Sequence, residues 1–437
     1  MNEEIEQQEP LVKESNTSIR TGGVLKKLGP GLITGAADDD PSGIATYSQA
    51  GAQYGTSLLW LAAWTFPLMA IIQEMCARIA IVTGRGLASN IKHTYSRRVL
   101  YLCTFLLFIA NTLNIGADLG AMAKAIQLIT PSASFVFLVI FVGLLSLGLE
   151  IFIPYQKYAK YLKWLVIALL SYVVTGLIIH MDWSVLLRDG VIPHITFSKT
   201  QILLITGILG TTISPYLFFW QTSQEVEEQI AGGKTTVRMR RYTKDNVSEI
   251  KKMRIDVWTG MFLSNLVMFF IIAVCASVLF KNGITNISTA SDAAQALAPF
   301  AGKWASLLFT LGIIGTGMLA IPVLAGSASY AISESFGWKE GLYRKLKEAR
   351  AFYGVIIVSI IIGILINFLG IDPIKALIYS AIANGIIAPI ILVLIVHISG
   401  SKKIMGHYKN SRFGNTIGWI ITILMSVVAI GAIYSLF

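Results

Sequence analysis

Apolar residues run through this chain in eleven blocks, roughly 28–53, 57–82, 99–125, 134–153, 160–179, 200–222, 255–280, 303–333, 350–369, 374–397 and 415–436, separated by short polar connections. About 20 apolar residues span the hydrocarbon core of a bilayer as a helix. The pattern therefore predicts an all-α integral membrane protein with eleven transmembrane helices, numbered here as spans 1–11. The positions of Lys and Arg support the count. With the N-terminus placed inside, the tail and the five cytoplasmic connections hold 28 of the 35 basic residues and the opposite side holds 6, with Arg78 inside span 2. Enrichment of basic residues on the cytoplasmic side then predicts a cytoplasmic N-terminus and an extracytoplasmic C-terminus.

Composition agrees with the pattern. The chain is 54% hydrophobic and 14% charged over 437 residues, whereas a soluble domain carries about 25% charge; the mean hydropathy is +0.67. A net charge of +11 would suggest nucleic acid in a soluble protein, but here it follows from the placement of the loops, and no nucleic-acid partner is expected. Residues 1–22 are polar, carry Glu3, Glu4, Glu6 and Glu9, and lack a signal-peptide core; a disordered cytoplasmic tail is expected there. Residues 23–400 would form the transmembrane core, and 401–437 a cytoplasmic loop with the eleventh span. The basic connection 225–254 is expected to be a solvated cytoplasmic loop. Cys76, Cys103 and Cys275 fall inside apolar spans as small buried hydrophobes, and Glu74 and Arg78, four apart on span 2, are expected to pair.

Two spans carry breaks. Span 1 reads Gly29-Pro30-Gly31 and then Ala37-Asp38-Asp39-Asp40-Pro41-Ser42-Gly43; span 6 reads Gly207-Ile208-Leu209-Gly210-Thr211-Thr212-Ile213-Ser214-Pro215-Tyr216. Proline removes a backbone donor and clashes with the preceding turn, and unwound backbone at membrane depth survives only where it is buried in protein or lines a cavity. Spans 1 and 6 lead two consecutive sets of five, and an odd-numbered set reverses direction, so the second set would be an inverted copy of the first. Matched interruptions in inverted repeats point to a transporter's midplane binding site.

The three aspartates sharpen this. A carboxylate at mid-membrane costs at least about 2.5 kcal/mol and is functional by default. Adjacent helical residues project about 100° apart, so the three cannot all face one point. Asp40, beside the proline, is the first choice for direct contact with an ion, and Asp39 and Asp38 would line the vestibule or hold the ion's waters. Spans 1 and 6 contain no Met, Cys or His. Oxygen ligands suit Mg²⁺, Ca²⁺ and Mn²⁺, and Mg²⁺ keeps several waters on one or two carboxylates. Small neighbours (Ser42, Gly43, Thr211, Ser214) leave room for a hydrated ion. His93, His180, His194, His397 and His407 sit in loops or at span ends, away from the breaks. Asp118, Asn111 and Asn114 on span 3 face either the pathway or neighbouring helices.

At these motifs the chain resembles the NRAMP family of divalent metal transporters. Gly29-Pro30-Gly31, Asp40-Pro41, Gln49-Ala50-Gly51-Ala52-Gln53-Tyr54-Gly55 and Leu58-Leu59-Trp60 match its first span and exit loop; Gln73, Ala77-Arg78 and Val82-Thr83-Gly84-Arg85-Gly86-Leu87-Ala88 match its second span; Pro215 matches the proline of its sixth. The resemblance implies a LeuT-type fold, a 5+5 inverted repeat with helices 1 and 6 broken, and alternating access. The departures are specific. The family's Asp-Pro-Gly-Asn is here Asp40-Pro41-Ser42-Gly43, so its metal-binding Asn is Gly43. Its Met-Pro-His is Ser214-Pro215-Tyr216, which removes a thioether ligand and a proton-linked imidazole. The carbonyl-donating Ala aligns with Thr211, a proton-route Glu with Ala121, and a tenth-span Gln with Asn384. Loss of the thioether resembles the branch of NRAMP-related magnesium transporters, which implies uptake of Mg²⁺ and Mn²⁺ without proton coupling.

The expected protein is therefore a monomeric, multi-pass plasma-membrane transporter, not an enzyme, with no cofactor, whose divalent ion is substrate and whose metal-site residues are Asp40, Gly43, Thr211, Ser214, Asn384, Asp39 and Asp38. The alternatives are a proton-coupled Mn²⁺/Fe²⁺ symporter, with Asp118 carrying the proton, and a symporter for an organic substrate such as an amino acid.

Overall fold

A computed structural model describes residues 29–153, 169–231, 233 and 244–436; the tail at 1–22 lies outside the described residues. The chain is helical, with no strand among the described residues. Among the described residues, eight helices are long and apolar enough to cross a membrane: Trp60–Thr83, Arg97–Ile129, Phe135–Phe152, Lys199–Ala231, Val247–Asn282, Ala298–Phe336, Pro373–Gly400 and Arg412–Leu436. To these are added the split span 1 (Pro30–Asp38 and Pro41–Tyr54), the shorter span 9 (Arg350–Ile366), and Leu170–Ile178, the described part of span 5.

Both breaks occur where proline chemistry requires them. Span 1a (Pro30–Asp38) ends at Asp39, and span 1b (Pro41–Tyr54) starts with proline at its first position and Asp40 as N-cap. Span 6a (Lys199–Thr212) ends at Ile213, and span 6b (Pro215–Ala231) again starts on proline. The residues at which the helices fail have closely similar backbones, φ −82°, ψ 53° at Asp39 and φ −108°, ψ 58° at Ile213. Proline is favoured at a helix's first turn because its missing N–H would have had no partner there.

Spans 1, 2, 6 and 7 lie together, and spans 3, 4, 8 and 9 form a second group against them; span 10 touches spans 1b, 2, 3 and 6a, and span 11 flanks spans 10 and 6a. Span 1a meets span 7 through backbone. A Cβ on Gly35 would sit 2.5 Å from the Gly260 carbonyl carbon, and one on Gly31 would sit 2.6 Å from Val257 Cα. Asp256 on span 7 then accepts from the N–H groups of Gly29 (3.2 Å) and Gly31 (2.7 Å). It satisfies donors that a helix N-terminus leaves free.

Of the connection at 225–254, expected to be a solvated loop, residues 232 and 234–243 lie outside the described residues, and the described ends are helical. Span 6b continues to Ala231 and span 7 is helical from Lys244. The acids are held by the protein: Glu225 is buried and accepts from Gln221 Nε2 at 2.9 Å, while Glu227 accepts from the Tyr330 hydroxyl and from Leu342 N (2.6 Å). Buried acids with donors behave as core, whatever their sequence neighbourhood. Glu74 does lie near Arg78 (3.8 Å), but its better partners are on span 7, Arg254 at 2.8 Å and the Trp258 indole at 2.9 Å.

Beyond the spans, the helix Trp183–Val191 is tied to the loop after span 1. Burial opposes ionisation of Asp189, yet hydrogen bonds from Thr56 (2.6 Å) and Arg188 (3.0 Å) hold its carboxyl below the usual range. The three cysteines are buried and free, and the five histidines are exposed.

Candidate metal site at the paired helix breaks

The two breaks face each other. Tyr216, at the start of span 6b, donates its hydroxyl to the Ala37 carbonyl near the end of span 1a (3.3 Å), and Thr211 Oγ1 on span 6a donates to the Tyr47 hydroxyl on span 1b (3.3 Å). Each half of one broken helix is thus linked to a half of the other. All of these residues are buried.

The aspartates divide as helical geometry requires. Asp40 faces span 3. Its Oδ1 accepts from Ser42 Oγ (2.6 Å) and Gly43 N (2.7 Å), and its Oδ2 from Asn114 Nδ2 (2.9 Å). Asp38 and Asp39 turn to span 7, where the Ser264 hydroxyl lies 2.5 Å from Asp38 Oδ2 and 3.2 Å from Asp39 Oδ1. Asp38 and Asp40 are fully buried and Asp39 is 3% exposed.

Span 3 supplies the other side. Asn114 Nδ2 also donates to Asp118 Oδ2 (3.2 Å), and Asn384 Nδ2 on span 10 donates to Asn114 Oδ1 (3.4 Å). Beside the break, Asp38 Oδ1, Asp118 Oδ1 and Asn384 Oδ1 are among the buried oxygens that have no hydrogen-bond donor, as is Asn111 Oδ1 further along span 3. Unsatisfied buried acceptors are costly, and oxygens with free lone pairs are what a hard cation uses. Asn111, by contrast, faces a neighbouring helix, donating to the Leu324 carbonyl and Ser327 on span 8 (2.8 Å each).

Of the expected site residues, Asp40 and Asn384 reach one polar cluster through Asn114. Gly43 presents only backbone, its N–H given to Asp40 and its carbonyl accepting from Thr46 Oγ1 (3.0 Å); the ring of Tyr47 lies 3.3 Å from where its Cβ would be. Ser214 turns its hydroxyl onto its own helix, to the carbonyls of Gly210 and Thr211 (2.7 Å for the latter), and so occupies the Thr211 carbonyl. Ser264, Tyr47 and the bridging role of Asn114 are not apparent from the motifs. A lone Ser or Asn in an apolar run satisfies itself on the preceding turn as readily as it reaches across.

Among the described residues, no three His, Cys, Asp or Glu side chains converge tightly enough to hold a metal by themselves. A cation at the break would complete its shell with amide, hydroxyl, carbonyl or water oxygen. One thioether lies nearby: a Cβ on Gly317 would meet Met122 Sδ, with the Pro41 ring at 3.3 Å. Beside the start of span 1b lies a small apolar recess whose lining includes Pro41, Ala45, Ala121, Phe309, Ile313 and Leu377.

Two facing broken helices, each leading one half of an inverted repeat, with carboxylates in the gap, define a membrane transporter of the LeuT type. The solved structures agree on the fold. A manganese transporter of Eremococcus coleocola superposes with a TM-score of 0.75 at 18% identity, covering 96% of this chain and 90% of that one; MhsT in complex with L-phenylalanine superposes at 0.58 and 12%, covering 94% and 98%. The sequence is 24% identical to the divalent metal cation transporter MntH of Clostridium acetobutylicum over 98% of this chain and 95% of the relative. The family model of the natural resistance-associated macrophage protein-like (Nramp) proteins matches residues 31–435, and the chain belongs to the Nramp family.

Proposed function

We propose that this protein carries divalent cations, Mg²⁺ and Mn²⁺, into the cell across the plasma membrane by alternating access through the helix breaks, as a monomer with a cytoplasmic N-terminus, and without coupled proton movement. One observation carries the reading. The groups gathered around Asp40 are oxygens and amides (Ser42, Asn114, Asp118, Asn384), and span 6 presents Ser214 and Tyr216 where the family resemblance would put a thioether and an imidazole. Such a set favours hard cations that keep part of their water. The breaks also direct the carbonyl ends of spans 1a and 6a toward the gap, where helix C-termini favour positive charge. Named relatives of this chain are divalent metal and manganese transporters, in keeping with a metal ion rather than an organic substrate.

The test is flux in proteoliposomes. Mg²⁺ and Mn²⁺ should enter vesicles containing the wild-type protein with no accompanying change of a trapped pH dye, and Asp40→Ala should abolish both fluxes. Wild-type rates in Asp40→Ala would end the reading. A second reading, proton-coupled Mn²⁺ uptake, is favoured by Asp118, a buried acid with a free oxygen joined to Asp40 through one amide. Metal-driven acidification that disappears in Asp118→Asn would select it.

A further inference from the structure

We infer that Asn114 is a cation ligand, made available by a paired reversal of two side-chain amides, its own and that of Asn384. The inference rests on the proposed divalent-cation reading and names a residue of the same site from outside the broken helices. As the side chains stand, Asn114 Nδ2 donates to both Asp40 Oδ2 (2.9 Å) and Asp118 Oδ2 (3.2 Å), and its Oδ1 accepts from Asn384 Nδ2 (3.4 Å). That leaves Asn384 Oδ1 with no donor, although Asn384 is fully buried.

The oxygen and the NH₂ of a carboxamide are nearly the same size, and the terminal torsion has two broad wells about half a turn apart. Reversing both amides therefore needs no movement of backbone. Asn114 then aims Oδ1 at Asp40 and Asp118, and its Nδ2 at the turned Asn384, whose oxygen gains the donor it lacks. With nothing between them, three oxygens facing one another repel, so the donating orientation holds. A divalent cation between the carboxylates inverts the preference, because carboxylate, amide and carboxylate oxygens form a hard-ion set.

The exchange also returns to the site an amide oxygen that span 1 does not supply. Gly43 carries no side chain, and the Tyr47 ring lies 3.3 Å from where its Cβ would be. Span 3 belongs to the other group of helices, so an ion held by both Asp40 and Asn114 ties the two groups together.

The sign of a binding change tests the inference. Full-length protein in detergent is titrated calorimetrically with Mg²⁺ and with Mn²⁺, alongside Asp40→Ala. If Asn114 is a ligand, Asn114→Leu loosens Kd about 10- to 100-fold, the range for a lost contact to a charged group. Asn384→Leu loosens it less, and the double variant binds no more weakly than Asn114→Leu alone. If Asn114 serves only as a donor to the empty carboxylates, its removal deletes a competitor, and binding stays unchanged or tightens; either result overturns the inference, as does additivity in the double variant. Should Asn114→Leu fail to fold, Asn384→Leu carries the test, with unchanged Kd as the refuting result. Absence of binding in the wild type would instead remove the cation reading itself.

Discussion

Replacing Gly35 by alanine adds one methyl group where spans 1a and 7 cross. An ideal Cβ there lies 2.5 Å from the Gly260 carbonyl carbon and 2.8 Å from its Cα, against about 3.4 Å for an ordinary contact. Both opposing atoms are backbone, so no side chain can turn aside and the helices must separate by close to 1 Å. Overpacking of this kind costs about 1–3 kcal/mol. The same displacement stretches the two hydrogen bonds from Gly29 and Gly31 to Asp256, each worth about 1.5–3 kcal/mol to a charged acceptor. Against this, alanine is the better helix former by about 1 kcal/mol. Partial loss of the bonds gives a net destabilisation of about 2–4 kcal/mol. Gly354→Ala on span 9 is the control, because nothing lies within 4 Å of its Cβ; it should be neutral or slightly stabilising. Thermal unfolding of both variants in one detergent at one scan rate is the assay, with Gly35→Ala melting about 2–4 °C below Gly354→Ala. Ion binding should weaken too, since Ser264 lies one turn beyond Gly260 on the helix that is pushed away and bridges Asp38 and Asp39. Equal melting of the two variants would refute the close crossing.

Two further outcomes follow from groups at the ends of the spans. Burial, with repulsion from Glu334 and Glu227, pushes the Glu340 carboxyl up to about 9 despite Arg344 and Lys92. From about pH 5 to pH 9 the unfolded chain therefore gives up a proton that the folded chain keeps, and stability falls as pH rises. Glu340→Gln should melt with the wild type at about pH 5 and several degrees above it at about pH 8; a gap that does not grow with pH would contradict this. Glu74→Ala should cost about 2 kcal/mol in chemical unfolding, because it leaves the Trp258 indole without its acceptor and Arg78 with Asn410 but no carboxylate, while Arg254, half exposed, loses little. Glu74→Gln should recover part of the loss, and equal stability of both variants with the wild type would count against the pairing.

The span pattern and the two breaks were legible in the sequence because each depends on local chemistry. Apolar run length sets the spans, and proline beside small residues sets the breaks within a residue of Asp40 and Ser214. Even the divergence of the three aspartates follows from helical pitch. What sequence could not supply was the pairing of polar residues across helices. Nothing around Ser264 marks it as the donor to Asp38 and Asp39, and Asn114 and Asn111, three residues apart on one helix, end at Asp40 and at the Leu324 carbonyl respectively. The start of the 225–254 stretch misleads for a related reason: its charge is that of a loop, yet Glu225 finds a donor one turn back on its own helix, in Gln221, and Glu227 finds one on span 8, in Tyr330, while span 6b runs on to Ala231.

Asp40 is also the N-cap of span 1b, and Oδ1 accepts from the first turn of that helix. On the proposed reading, an ion arriving at Asp40 meets an anion whose charge is already partly neutralised by the positive end of a helix dipole. Such an acid grips a cation less firmly than a free one would, and when the ion departs, the helix terminus, Ser42 and Asn114 still satisfy it. For a carrier, whose turnover depends on letting go, that moderation of affinity favours release over retention.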